Sequence, residues 1–180
     1  MTTTDLEKLK FPIGKFEKPA SLTKEILDSF INDIETFPQR LDQEVSHLDR
    51  QQLDTPYRPG GWSIRQVVHH CADSHMNSIT RFKLALTEDK PGIKPYFEDR
   101  WAELPDSRIA IEPSLQLLQG LHLRWTALLK SLTEEELAKS FIHPEHGKEF
   151  RLDENIGVYA WHCNHHLAHI TGLKKQKGWK

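Results

Sequence analysis

Four histidines, His162, His165, His166 and His169, stand within eight residues in the string W-H-C-N-H-H-L-A-H (Trp161 to His169). The residues around them recur with a helical period, so the string belongs to a helix. Projected at about 100° per residue from Trp161, Val158, Tyr159, Cys163, Leu167, Ile170 and Leu173 spread over an apolar arc from about 60° to about 240°. Asn164, Thr171 and Lys175 mark the polar side. The histidines are not among them: they fall between about 40° and about 140°, on the buried arc. A buried imidazole needs a hydrogen-bond partner or a metal ion. A single core histidine reads as structural, but four on one buried face point to metal binding.

The rest of the chain supplies partners for that helix. Residues 1–20, with Pro12 and Pro19, read as an arm without periodicity, and residues 21–180 as a single domain. Ile26, Phe30, Ile31, Ile34, Phe37, Leu41, Val45 and Leu48 mark a first amphipathic helix, which Pro38 should kink or divide near Phe37. The loop D-T-P-Y-R-P-G-G (Asp54 to Gly61) follows. Ser63 and Gln66 form a capping box that opens a second helix, running to about Thr87. Residues 88–112 hold Pro91, Pro95 and Pro105 and form a long connection. Its aromatics Tyr96, Phe97 and Trp101 predict a packed lid, with a helical turn near Asp99–Leu104. Pro113 and Ser114 open a third helix with a buried stripe from Leu115 to Leu132. Thr133 and Glu136 cap a short one. Residues 141–152 predict a turn or small hairpin, and Asp153 is expected to cap the last helix, which runs to about Lys177. The fold class is therefore all-α, a four-helix bundle. The long connection between the second and third helices makes an up-down-down-up order as acceptable as a simple up-down one.

Spacing of i and i+4 brings two imidazoles to one side of a helix. Two pairs qualify, His165 with His169 and His162 with His166, and periodicity does not choose between them. Neither pair encloses a glutamate, so no general base is built in. A catalytic zinc takes three protein ligands and keeps a position open, so a third should come from another helix. The second helix offers His69, His70, Asp73 and His75, with a polar stripe of His70, Ser74, Asn77 and Arg81. Cys71 and Cys163 lie on apolar arcs and read as small core residues. His47, His122, His143 and His146 are scattered and read as structural or exposed.

Composition excludes several classes. With 24 Lys+Arg against 26 Asp+Glu the net charge is −2, which gives no electrostatic footprint for nucleic acid. Lys174, Lys175, Lys177 and Lys180 read as a solvated helix end. No apolar run is long enough to span a membrane, no signal peptide is visible at the start, and two cysteines make no disulfide framework. A cytoplasmic location is the expectation.

The strings from Asp54 to Ser78 (D-T-P-Y-R-P-G-G-W-S-I-R-Q-V-V-H-H-C-A-D-S-H-M-N-S), Arg81 to Glu88 (R-F-K-L-A-L-T-E), Arg124 to Leu129 (R-W-T-A-L-L) and Trp161 to Thr171 resemble the YfiT-type branch of the DinB-like metalloenzymes. The resemblance covers nearly the whole chain beyond the arm. It implies a homodimeric four-helix bundle with one divalent metal ion per subunit, zinc or alternatively nickel. By motif position it implies His70, His165 and His169 as ligands. It also implies a small-molecule substrate, with either metal-dependent hydrolysis or transfer of a low-molecular-weight thiol of the bacillithiol type. A non-catalytic metal-binding role is the remaining alternative. Asp73 or Asn77 could orient a ligand or nucleophile, Arg81 could hold a substrate carboxylate or phosphate, the Tyr96–Trp101 segment could cover the site, and His162 could support a ligand from behind.

Overall fold

The computed structural model describes residues 3–145 and 147–179. His146 and Lys180, both read above from their sequence context, lie outside them. In chain order the elements are α1 (Thr3–Lys10), α2 (Lys24–Val45), α3 (Arg50–Leu53), α4 (Ile64–Thr87), α5 (Glu98–Trp101), a 3-10 turn (Pro105–Arg108), α6 (Glu112–Ser131), α7 (Glu134–Leu137), β1 (Ser140–His143), β2 (Lys148–Arg151) and α8 (Leu152–Lys177).

The four long helices α2, α4, α6 and α8 build the bundle. Local chemistry sets where they begin. Thr23 accepts from the Ile26 N–H at the head of α2, and the Ser63–Gln66 and Thr133–Glu136 pairs close capping boxes on α4 and α7. The stripe Ile31, Ile34, Phe37, Leu41 and Val45 of α2 is buried, and Trp125, Phe82, Phe141 and Ile156 fill the core from the other elements. Pro38 does not divide α2, which continues through it as one helix. Neither does Asp153 cap α8. That helix starts two residues earlier than such a cap would set it, with Arg151 at the cap position, and Asp153 lies inside the first turn, where it pairs with Arg151 at 2.6 Å. An acidic side chain is as favourable there as at the cap, because the helix dipole extends over the first turn.

Cross-helix contacts settle the helix directions. Arg40 binds Asn164 and Lys174 binds Glu44, so residue numbers rise together and α2 runs parallel to α8. His69 meets Ser114 and Phe82 meets Trp125, so α4 runs parallel to α6. Ser78 meets Asn155 whereas His70 meets His162, so α4 runs against α8. The order is up-down-down-up.

Two peripheral segments position the site. The arm opens with α1 and then lies along the bundle. Gly14 O accepts from Trp161 Nε1 at 3.1 Å, and Phe16 packs so closely on Gly157 that a Cβ there would sit 3.1 Å from the Phe16 ring. The long connection is tied to the β1–β2 hairpin by Ile93 N–H to Ile142 O at 3.0 Å and Ile142 N–H to Pro91 O at 2.9 Å. Arg65, at the head of α4, holds the far end of the same connection, donating to Ile109 O at 2.8 Å and to Asp54 at 2.7 Å.

Candidate metal centre

The α8 histidines meet α4 in the middle of the bundle. His70, His162 and His166 bring one ring nitrogen each within 4.8 Å of one another, and so do His165, His166 and His169. Within the first group His70 Nε2 and His162 Nε2 are 3.2 Å apart. Two nitrogens on a tetrahedral zinc, each at about 2.0–2.1 Å, stand roughly that far apart. The first group joins two helices, as a site that cross-links the bundle must. The second draws all its members from α8. His70, His165 and His169, the trio expected from motif position, are not gathered as one group: His70 falls in the first, His165 and His169 in the second. The wheel placed both i, i+4 pairs on one arc, and only the packing of α8 on α4 decides which pair faces His70.

His165 and His169 line the same cavity as His70 and make further contacts. The His165 ring stacks on Trp161 with centroids 4.3 Å apart. His169 Nε2 donates to Lys10 O at 3.1 Å, and its ring stacks on Tyr57. Tyr57 comes from the Asp54–Gly61 loop, where Gly60 takes a φ of +65°, a conformation that suits glycine. Just beyond that loop, Trp62 tilts over His70 with centroids 4.6 Å apart. The arm and this loop thus wall in the histidines.

Burial sets the charge state of the cluster. It pushes His70, His165 and His169 down to about 4, with smaller contributions from neighbouring histidines or Arg58. It also pushes His162 and His166 well below the ordinary imidazole value. All five are neutral at pH 7, and a neutral imidazole offers a lone pair to a metal. The Nδ1 atoms of His165, His166 and His169 are buried with no hydrogen-bond partner. Orphaned buried nitrogens carry a cost that a metal ion or ordered water would relieve. The donor set therefore fits a divalent ion.

Other expected residues are distributed unevenly. A cavity of about 470 Å³ opens on the histidines, with Tyr57, Arg58, Trp62, Glu98 and Asp99 in its walls. A second, of about 560 Å³, shares His162, Glu98 and Asp99 with it and adds Arg81, Tyr96 and Tyr159. Arg81 and the lid residue Tyr96 thus reach a cavity beside the site. Asp73 and Asn77 line neither cavity, and Asn77 spends its amide on Asp73 O at 2.8 Å. His69 is held by Ser114 at 2.8 Å and is not part of either group. Cys71 and Cys163 are buried free thiols, and burial raises both well above the usual thiol range, so neither is a nucleophile at neutral pH.

Two further histidines lie behind the centre: His75, which the sequence offers only as one of several second-helix candidates, and His122, which it reads as structural or exposed. His75 and His122 are 0% and 1% exposed and bond to each other at 2.7 Å, and His75 bonds to His162 at 3.0 Å. No pattern within one helix shows this, because the bond joins α4 to α6.

Comparison with known proteins agrees with this architecture. The pattern of the DinB superfamily matches residues 33–170. A Bacillus cereus protein named "Putative metal-dependent hydrolase" is 54% identical over 97% of this chain and 100% of its own length, as is a Bacillus thuringiensis protein of the same description. The structure of YfiT from Bacillus subtilis, described as "a probable metal-dependent hydrolase with an unusual four-helix bundle topology", superposes with a TM-score of 0.93 at 50% identity, over 96% of this chain and 99% of that one. A mycothiol-dependent maleylpyruvate isomerase shares the fold at a TM-score of 0.64 and 13% identity, over 80% of this chain and 60% of that one. With its bundle order, its histidine centre and relatives matching along almost its full length, the chain belongs to the DinB superfamily.

Proposed function

We propose that this protein is a metal-dependent hydrolase whose divalent ion, zinc in preference to nickel, is held by His70, His162 and His166. The observation that carries the reading is the convergence of three imidazoles from α4 and α8, His70 and His166 buried and His162 half-buried, with the Nε2 atoms of His70 and His162 3.2 Å apart, where two cavities share lining residues. A zinc ion bound by three protein ligands would leave a position open and would supply Lewis-acid activation of a nucleophile there. The chain's own groups do the rest. Trp62 and Tyr57 exclude water from one side, and Glu98 and Asp99 face the junction and can accept a proton. Arg81 offers a planar cation to a substrate carboxylate or phosphate.

A second reading, transfer of a low-molecular-weight thiol to an electrophile, shares the same centre, since a coordinated thiol is deprotonated as readily as a water is acidified. The two joined cavities favour it, because they leave room for a thiol and its acceptor side by side.

Metal analysis of the purified protein tests the ligand set. Alanine at His70, His162 or His166 should abolish stoichiometric metal, while His165→Ala and His169→Ala should retain it. The opposite pattern within α8 would return the assignment to His165 and His169. Assay of the loaded protein on a panel of esters and amides beside a thiol-plus-electrophile pair separates the two reactions. Turnover of neither would favour a non-catalytic metal protein. Sedimentation checks the homodimer that the same family reading proposes.

A further inference from the structure

The cleft between α4 and α8 continues beyond the histidines. The antiparallel pairing steps along it one turn at a time: His70 faces His162 at 3.2 Å, Ser74 faces Tyr159 at 3.4 Å, and Ser78 faces Asn155 at 3.5 Å. Arg81 comes next on the same side of α4. The larger of the two cavities, about 560 Å³, runs along this cleft past Ser74, Tyr159 and Asn155 to Arg81. Its other walls are apolar. Phe141 and Phe150 of the hairpin line it, their rings stacked with centroids 5.9 Å apart, together with Val158 and Pro95. At the helical rise of 1.5 Å per residue, Ser74 stands about 6 Å along the axis from His70, and Arg81 about 16 Å. The cavity is therefore long, with the histidines near one end and a guanidinium toward the other. Its polar groups have unused capacity. Asn155 is 4% exposed, and its one hydrogen bond among the described residues is the long contact with Ser78. Tyr96 Oη is buried beside Ser74 without a hydrogen bond of good geometry. Arg81 is half-buried, and among the described residues no ion pair or hydrogen bond occupies its guanidinium. Buried polar groups short of partners are costly, and a cavity of this size suits a small molecule that would supply them.

We propose that this cleft is a substrate site for an elongated, mostly apolar monocarboxylate, its carboxylate held by Arg81 and its far end, which carries the reacting carbonyl, laid toward His70. The binding part needs no choice among the α8 histidines, because His70 belongs to the centre whichever of them complete it. The reacting carbonyl rests on the hydrolase reading given above. Arginine suits the anchoring role because its planar fork meets both oxygens of a carboxylate. The apolar walls reward a body of about 10 Å between the two ends and give nothing to a short polar acid. One negative charge is favoured over two. Glu98, Asp99 and Glu145 also line the cavity, and all three are exposed. Water screens them enough to leave Arg81 attractive, but a second anionic group beside them would be repelled. The matching substrate class is a monoester or monoamide of a long dicarboxylic acid. In hydrolysis of such a monoester the water oxygen bonds to the acyl carbon and the bond from that carbon to the alcohol oxygen breaks. One water proton leaves with the alcohol, and the other is released as the new carboxyl group ionises.

Calorimetric titration with octanoate, octylamine and succinate tests the site, on the protein both loaded with zinc and stripped of metal. Octanoate should bind both forms. Octylamine, with the same body and the opposite charge, and succinate, with two charges and almost no body, should each bind weaker by about tenfold or more. Arg81→Gln should weaken octanoate by about 10–100-fold, the worth of a charge-assisted bond, and leave octylamine unchanged. Unchanged octanoate affinity in Arg81→Gln would overturn the proposal, as would octylamine or succinate binding as well as octanoate. Binding of octanoate only to the loaded form would place the carboxylate on the ion and overturn it too. The orientation is tested by turnover of the mono-nitrophenyl ester of suberic acid against nitrophenyl octanoate, which lacks the free carboxylate. The suberate monoester should have the higher kcat/KM, and Arg81→Gln should erase the preference through KM. A preference for the octanoate ester would overturn the orientation. Turnover of neither would sink the hydrolase reading, while the titrations with wild type and Arg81→Gln decide the binding site by themselves.

Discussion

Tyr57 lies flat against His169, with ring centroids 3.9 Å apart and planes 18° apart. The stack joins the Asp54–Gly61 loop to α8 and turns His169 so that its Nε2–H reaches Lys10 O. An aromatic pair of this kind contributes about 0.5–1.5 kcal/mol beyond its buried area. Tyr57→Ala should therefore lower the thermal midpoint by several degrees and leave metal stoichiometry at one, since His169 stands outside the proposed ligand set. Differential scanning calorimetry with metal analysis checks both. Loss of the metal with Tyr57 would instead make His169 a ligand.

The metal-free protein should be acid-labile. Burial holds His70, His122, His165 and His169 at about 4 in the fold, against about 6.5 when unfolded. Between those values the unfolded chain binds more protons, so stability is complete above the unfolded value and falls as pH drops toward the folded one. Each such histidine adds a slope of about 1.4 kcal/mol per pH unit. Urea midpoints measured at about pH 7.5, 6.5 and 5.5 should fall at each step, most steeply at the last. A flat series would mean the histidines are not buried as neutral rings.

Asp73 should behave oppositely. Burial, and then Asp106, raise its carboxyl from 3.8 to about 6, so its protonated form is favoured by folding and its contribution is lost as pH rises through about 6. Asp73→Asn should raise the thermal midpoint at pH 7.5 and leave it nearly unchanged near pH 4. If activity also survives, Asp73 is a structural residue and not part of the chemistry.

Arg65 should be among the costliest polar residues to remove. Its side chain is 10% exposed, and it bridges Asp54 and Ile109 O. Truncation breaks two charge-assisted bonds at the point where the long connection rejoins α4, a loss of about 2–3 kcal/mol. Arg65→Ala should lower the urea midpoint accordingly, and Arg65→Lys should recover little, because an ammonium cannot serve both partners with the planar fork of arginine.

Gly157→Ala should detach the arm. The added methyl would sit 3.0 Å from Phe30 and 3.1 Å from Phe16. Phe30 is fixed in α2, so Phe16 must yield. Overpacking of this kind costs about 1–3 kcal/mol. Limited proteolysis should cut between residues 11 and 20 faster than in the wild type, and Trp161, bonded to Gly14 O, should report the release through its fluorescence.

The sequence carried the helices well because their signals are local. Ser63 with Gln66 and Thr133 with Glu136 are complete capping motifs within four residues, and the stripe of α2 is a period that can be counted. The histidine face of α8 was legible for the same reason. The choice of partners was not. His162 and His165 lie within about 60° on the wheel, and which of them meets His70 depends on the azimuth of α8 against α4, a tertiary quantity. His122 looked isolated because its partners, Ile34 and His75, are 88 and 47 residues away. Asp153 missed the cap by two residues, since helix ends are set by the chain before them as well as by the acid inside. The arm hid its order because Phe11, Gly14 and Phe16 pack singly against α8 rather than along a stripe.

Pro38 carries a consequence for anyone who would engineer this protein. A proline inside a helix costs about 3 kcal/mol relative to alanine, so a search for hardier variants would reach first for Pro38→Ala. That change supplies a backbone N–H to Ile34 O and sets it in competition with His122 for the same acceptor. The helix would gain and the His75–His122 pair would lose its anchor. Helix stability and the fixed orientation of the buried His122 ring are opposed here at one residue.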